Sequence, residues 1–229
     1  MKLLIGNKCY SSWSLRAWLL LAAKEISFEE VLVLLDEPGF KDAVHAHAPQ
    51  SGGTVPTLVD GDVAVWETLA IVEYLHERFP ERGIWPSDAA ARAHARAVSS
   101  EMHASFQALR GACPMNLGKR YATRDRGADV TANVTRISAI WGEARRRFGE
   151  AAGGPFLYGE FSAADAMFAP VVARLDTYAI PVDGVSAAYM RAVLGLPAYR
   201  QWLDAALKES WIVEHDEVDE PAIANLRSV

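Results

Sequence analysis

Between Asn7 and Leu21 the chain reads NKCYSSWSLRAWLLL. Three hydroxyls (Ser11, Ser12, Ser14), a thiol (Cys9), a phenol (Tyr10) and a guanidinium (Arg16) crowd the point where the apolar run Lys2–Ile5 gives way to a helical pattern. A hydroxyl at the start of a helix can donate to an anion, and the helix N-terminus adds partial positive charge. The chemistry on offer is anion binding, and the question is which anion.

Two further stretches have the right residue types. VPTL, Val55–Leu58, opens a strand with a proline, which has no N–H for the ladder. Pro56 is either a trans edge-strand proline or a cis proline that turns Val55's main-chain groups into a cleft; cis bonds are about 5–6% of X–Pro bonds in folded proteins. WETLAI, Trp66–Ile71, places Glu67 and Thr68 where a strand feeds a helix. Capping is the commoner use of such a pair. The functional use is a ligand carboxylate on Thr68 and the first N–H groups, with Glu67 taking an ammonium. Ser162 and Asp165, before the apolar run Ala166–Pro170, form a capping box with Asp in place of Glu, and the expected role is structural.

Other signals carry no site. Gly118–Arg120 lacks P-loop spacing, His76–Arg78 lacks the second histidine of a zinc-protease helix, and no nucleophile elbow is present. His45 and His47 do not share a helix face, so no metal set is assigned.

These residues need elements to hold them. Lys2–Ile5 reads as a strand, and a helix follows from Ser14, with Leu15, Trp18, Leu19, Ala22 and Ala23 on one face. Phe28–Leu35 reads as a strand and Pro38–Ala48 as a weak helix. Thr57–Val59 and Val63–Trp66 flank Asp60-Gly61, a hairpin signal, and Glu67–Phe79 is a helix stopped by Pro80. Residues 1–80 thus make a βαβ unit, a loop helix and a ββα unit. Residues 81–88 read as a linker, and residues 89–212 as an all-helical domain with helices at Ala89–Arg110, Asp129–Phe148, Ser162–Ala179, Ser186–Leu194 and Pro197–Glu209. No strand is expected there. Residues 213–229 read as a polar, irregular tail.

Composition bounds the partners. With 229 residues, 51% hydrophobic, the chain can bury two cores. A formal charge of −6 argues against nucleic acid. Cys9 and Cys113 are too few for a disulfide framework. The N-terminus lacks a signal-peptide pattern, and the apolar stretch Ala17–Ala23 is too short to span a membrane. A reducing, cytoplasmic setting is expected.

Taken in order, SSWSLR, TVPTLVDGDVAVWETLAIVEYL and FSAADAMFAPVV resemble the glutathione S-transferase superfamily, the first being similar to the serine motif of its zeta-like bacterial members. The resemblance runs to about Ser210. It implies a thioredoxin-like N-terminal domain, an all-helical C-terminal domain, a cis Pro56, a homodimer and glutathione as cosubstrate. The anion would then be the glutathione thiolate, the nucleophilic form of the thiol. The zeta-like pattern assigns the hydroxyl role to Ser11, with Ser12 the close competitor. Ser14 is expected to cap the first helix, and Cys9 ranks below the serines as a mixed-disulfide former. Thr54, Val55, Pro56, Glu67 and Thr68 would bind glutathione. Thr54 stands where the family usually has Lys or Gln, leaving Gln50, Lys41 or His45 to hold the glycine carboxylate. The first expectation is conjugation to a small hydrophobic electrophile. The alternatives are a zeta-like cis–trans isomerase acting on an unsaturated diacid, with Arg174 as the cation although a surface or dimer position is commoner for such a residue, and a non-catalytic binding or regulatory scaffold.

Overall fold

The computed structural model describes residues 1–228. Its N-terminal part is built on a four-stranded sheet in the order β2-β1-β3-β4. The strands are β1 (Lys2–Ile5), β2 (Glu29–Leu32), β3 (Thr57–Asp60) and β4 (Val63–Trp66). β1 is apolar without alternation because Leu3, Leu4 and Ile5 are buried on both faces of a central strand. It runs parallel to β2 and antiparallel to β3. The crossover from β1 to β2 carries helix α1 (Ser12–Ala23). The β3–β4 hairpin turns at Gly61, whose φ of 60° suits glycine. α2 (Phe40–His45) fills the β2–β3 connection and α3 (Thr68–Arg78) follows β4.

β2 is shorter than the expected Phe28–Leu35. Val33 still donates to the Ile5 carbonyl at 2.8 Å, but the chain then turns through Asp36, whose φ is 61°.

The second part holds α4 (Ala89–Ala104), α5 (Gln107–Ala112), α6 (Ala128–Ala144), the single turn α7 (Glu150–Ala152), α8 (Ala163–Thr177), α9 (Gly184–Gly195) and α10 (Pro197–Ala206). The expected single helix Ala89–Arg110 is two helices. Phe106 adopts a left-handed φ of 65° and breaks it, a conformation that apolar spacing does not reveal. α6 runs on through a π-turn at Arg145–Gly149 into α7. α8 is almost wholly buried and packs along α1 and α4. The bonds that stitch the two parts together include Arg16 Nε to the Met167 carbonyl at 2.9 Å and Lys24 to the Phe161 carbonyl, and the Ala163 N–H ties α8 to the Ile84 carbonyl of the linker at 2.8 Å.

The absence of strands beyond the linker and the irregular tail are both corrected. β5 (Lys119–Tyr121) pairs antiparallel with β6 (Ala222–Asn225), so the tail folds back on the helical domain. Neither strand buries an alternating face, so periodicity gives no signal. Ion pairs flank the two strands instead: Glu217 with Lys119 at 2.6 Å, and Glu220 with Arg124 at 2.7 Å and Arg126 at 2.9 Å.

Candidate functional site

Sheet register gathers the site. Leu4 pairs with Thr57, and Thr57 pairs with Trp66. The end of β1, the start of β3 and the end of β4 therefore share one edge. The turn after β1 carries Ser11 and Ser12, the Val55–Pro56 bond preceding β3 is cis, and Glu67–Thr68 follow β4. Thr54, Val55, Pro56, Glu67 and Thr68 are thus brought together beside the serine turn.

Ser11, not Ser14, occupies the N-cap of α1, and its side chain makes no capping bond. No acidic residue stands in the first turn, so the positive end of this helix is left uncompensated. The Ser11 Oγ lies 2.8 Å from Ser14 Oγ, and Ser14 Oγ accepts the Gly6 N–H at 3.0 Å. Of two paired hydroxyls either can donate. With Ser14 already accepting from Gly6, its own proton can serve Ser11 and leave the Ser11 proton for an anion. Ser11 is 7% exposed, and Ser12 is half-buried with its carbonyl held by Arg16 at 3.0 Å. Cys9 is fully buried, and burial pushes its thiol up, which leaves a poor nucleophile.

Glu67 caps α3. Its Oε1 accepts from the Leu69 and Ala70 N–H groups at 3.2 and 3.3 Å, while Oε2 stays free of them, 3.3 Å from His103 Nδ1. Capping and ligand binding are thus compatible in one carboxylate. The Thr68 hydroxyl is buried and has no partner among the described residues. Lys41 and His45 both lie against Gly53, in the loop that leads to Val55: a Cβ there would meet His45 Nε2 at 3.0 Å and Lys41 Cγ at 3.2 Å. Gln50 is exposed.

A cationic cluster completes the site. The guanidinium carbons of Arg16 and Arg110 lie 4.2 and 4.9 Å from the centre of the Trp13 ring. Arg174 is 5% exposed rather than on the surface or at a dimer face, so that expectation is corrected; the length of α8 hides it. Its Nε donates to the Cys113 carbonyl at 2.9 Å and a terminal nitrogen to the Pro170 carbonyl at 3.2 Å. Burial pulls all three guanidiniums down, Arg16 well below the usual range and Arg174 to about 10, and repulsion from neighbouring guanidiniums adds to it at Arg16 and Arg174. Arginine keeps its proton nonetheless. None of the three forms an ion pair among the described residues: the Asp216 carboxylate favours the Arg174 charge only from beyond ion-pair distance, and one terminal nitrogen of Arg16 is buried without a hydrogen-bond partner among them. Uncompensated buried charges are expensive unless a ligand supplies the counter-ion. Sequence reasoning did not pick out Arg110, which sits on a helix whose start depends on the Phe106 break.

A separate cavity of about 660 Å³ opens between α6 and residues 180–183 and contains none of these side chains. No group of three or more metal-ligating side chains occurs among the described residues, and no helix among them is long and apolar enough to cross a membrane.

Residues 10–78 match the family model "Glutathione S-transferase, N-terminal domain" and residues 122–205 match "Glutathione S-transferase, C-terminal domain". The chain is 26% identical over 196 residues to a stringent starvation protein A homolog of Coxiella burnetii, covering 81% of this chain and 88% of the relative. It is 39% identical over 100 residues to a probable maleylacetoacetate isomerase of Caenorhabditis elegans, covering 43% of this chain and 45% of the relative, so it spans less than half of that protein's length. A solved bacterial maleyl pyruvate isomerase, described as a zeta-class glutathione S-transferase, superposes with a TM-score of 0.64 at 25% identity, covering 90% of this chain and 98% of the other.

Proposed function

The chain belongs to the glutathione S-transferase superfamily, as an enzyme of that type with glutathione for cosubstrate, and from this premise we propose that Ser11 ionises the glutathione thiol for attack on a small, carboxylate-bearing electrophile. The observation that carries the substrate class is the trio Arg16, Arg110 and Arg174 beside the serine turn, three guanidiniums none of which makes an ion pair among the described residues.

The thiol needs help. At a free pKa of about 8.5, roughly 3% is ionised at pH 7. A drop of about two units makes most of it thiolate and takes about 2.7 kcal/mol. The Ser11 proton, released by the Ser14–Gly6 relay, and the uncapped end of α1 supply donors of that order. Val55 and Thr68 hold the tripeptide's main chain and γ-glutamyl carboxylate, Glu67 Oε2 its ammonium, and Lys41 the glycyl carboxylate. Ser12 shapes the turn through its carbonyl bond to Arg16.

Two outcomes follow from one attack. When the electrophile bears a leaving group, sulfur bonds to carbon, the group departs with its electron pair, and a conjugate remains. When it is an unsaturated diacid, sulfur adds to one alkene carbon and the π electrons move onto the conjugated carboxyl or carbonyl, where the guanidiniums stabilise them. The former double bond rotates, the electrons return, and thiolate is expelled. The cationic wall favours this second course, cis–trans isomerisation, over conjugation of a neutral hydrophobic electrophile. The same reading includes a cytoplasmic homodimer, for which the exposed Trp66 and Val63 of β4 offer apolar surface, and sedimentation at micromolar concentration tests it.

Turnover is assayed with a maleyl-type diacid and with a neutral aryl halide, for wild type and Ser11→Ala. The expected result is faster turnover of the diacid and a drop of about 100-fold in kcat/KM for Ser11→Ala with both. Equal turnover in Ser11→Ala removes Ser11 from the mechanism. No turnover of either substrate, with glutathione still bound, favours the scaffold reading.

A further inference from the structure

The turn that carries Ser11 is short of main-chain partners of its own. The Asn7 carbonyl takes the N–H groups of Tyr10 and Ser11 at 3.1 and 2.8 Å. The N–H groups of Lys8 and Cys9 point the other way, into protein. Both are taken by one carboxylate some 200 residues downstream: Glu209 Oε1 accepts from Lys8 at 2.9 Å and Oε2 from Cys9 at 3.1 Å. The Lys8 carbonyl accepts from Trp202 Nε1 at 3.0 Å, and the Cys9 carbonyl accepts the Leu117 N–H at 3.1 Å. Glu209 is 7% exposed, so its carboxylate is committed to the turn.

The residue next to Ser11 is held in the same way. The Tyr10 hydroxyl donates to Glu217 Oε1 at 2.6 Å and accepts from Arg227. Glu217 is fixed in turn by Asn116 Nδ2 at 3.0 Å and Lys119 Nζ at 2.6 Å. Arg227 is anchored to the Trp211 carbonyl at 2.9 Å, and the β5–β6 pairing carries it to that place. On the other flank His215 pairs with Asp36 at 2.8 Å, in the loop after β2. Residues 202–227 thus form a strap across the back of the serine turn, on which Glu217 and Arg227 are themselves anchored.

We propose that the C-terminal strap is the positioning device for Ser11, with Glu209 its principal positioning residue and the Glu217–Tyr10–Arg227 clamp its second hold. This rests on the reading of Ser11 as the thiol's donor, and it adds that the donor's geometry is set from the far end of the chain. Glu209 touches neither thiol nor electrophile. It acts by holding the two amides that fix where the turn enters α1.

Two variants test it, Glu209→Gln and Tyr10→Phe. Gln keeps the size of the side chain but offers one acceptor oxygen instead of two. Phe removes only the hydroxyl between Glu217 and Arg227, and guards against a misfolded Glu209 variant. Amide hydrogen exchange at residues 8–11 is read first and needs no substrate. The expected exchange is about tenfold faster in Glu209→Gln and about threefold faster in Tyr10→Phe, with α8 unchanged. The ultraviolet absorbance of bound thiolate is then titrated. The expected bound-thiol pKa is about one unit higher in Glu209→Gln, with kcat about tenfold lower and the affinity for S-methyl glutathione within about twofold of wild type. Exchange at residues 8–11 equal to wild type in both folded variants overturns the proposal whatever the kinetics. Faster exchange with an unmoved thiol pKa, where Ser11→Ala does move it, overturns it too. A wild type that never lowers the thiol pKa overturns the Ser11 reading instead, and hydrogen exchange still decides whether the strap holds the turn.

Discussion

Asp165 and Arg174 lie at opposite ends of α8, both buried, and they are treated in opposite ways. Asp165 is 0% exposed and saturated: it accepts from the Leu157 N–H at 3.0 Å, the Ser162 N–H at 2.8 Å and the Ser162 hydroxyl at 3.0 Å. These donors pull its carboxyl down against burial, which still lifts it to about 6. Arg174 donates only to carbonyls, has other guanidiniums for neighbours, and feels Asp216 from beyond ion-pair distance. A buried charge with its partners in place belongs to the fold, whereas one without them belongs to something the fold is meant to hold. The unpartnered hydroxyl of Thr68, set against the engaged hydroxyl of Ser162, repeats the contrast without charge.

Three substitutions probe that division, in falling order of effect. Asp165→Ala strips the capping box and leaves two buried amides without acceptors, so a loss of about 3 kcal/mol and a fall in Tm of about 6–12 °C are expected in thermal unfolding. A change under one degree would break the comparison at its structural end. Arg174→Met should do the reverse. Unfolding stability stays level or rises, because a desolvated charge is replaced by a packed thioether, while kcat/KM for an acidic electrophile falls about 30-fold and that for a neutral aryl halide does not change. Equal losses with both electrophiles would mean that Arg174 supports the fold rather than a carboxylate. Thr68→Val is the mildest: Tm is unchanged, since no bond is lost, and KM for glutathione rises about fivefold in a steady-state titration. A lower Tm with KM unmoved would return Thr68 to the structural side.

What could be read in the chain follows the same line. The capping box at Ser162–Asp165, the Asp60-Gly61 hairpin and the serine-rich entry to α1 are local, so residue type and spacing display them. The cationic wall is not local. Arg16, Arg110 and Arg174 come from three helices, and their meeting depends on the left-handed Phe106 and on α8 being buried along its length. Arg174 could be named but not placed, and Arg110 could not be named. The strap is equally hidden, because β5 and β6 are short, bury no alternating face and are matched by long-range ion pairs.

The contacts of Trp202, Glu209, Glu217 and Arg227 with Lys8, Cys9 and Tyr10 also impose an order of assembly. During synthesis the N-terminal sheet emerges and folds first, while Glu209, which completes its serine turn, follows Lys8 by 201 residues. A nascent chain can therefore have its first domain built and still lack a finished turn until the segment from Trp202 to Arg227 has cleared the ribosome.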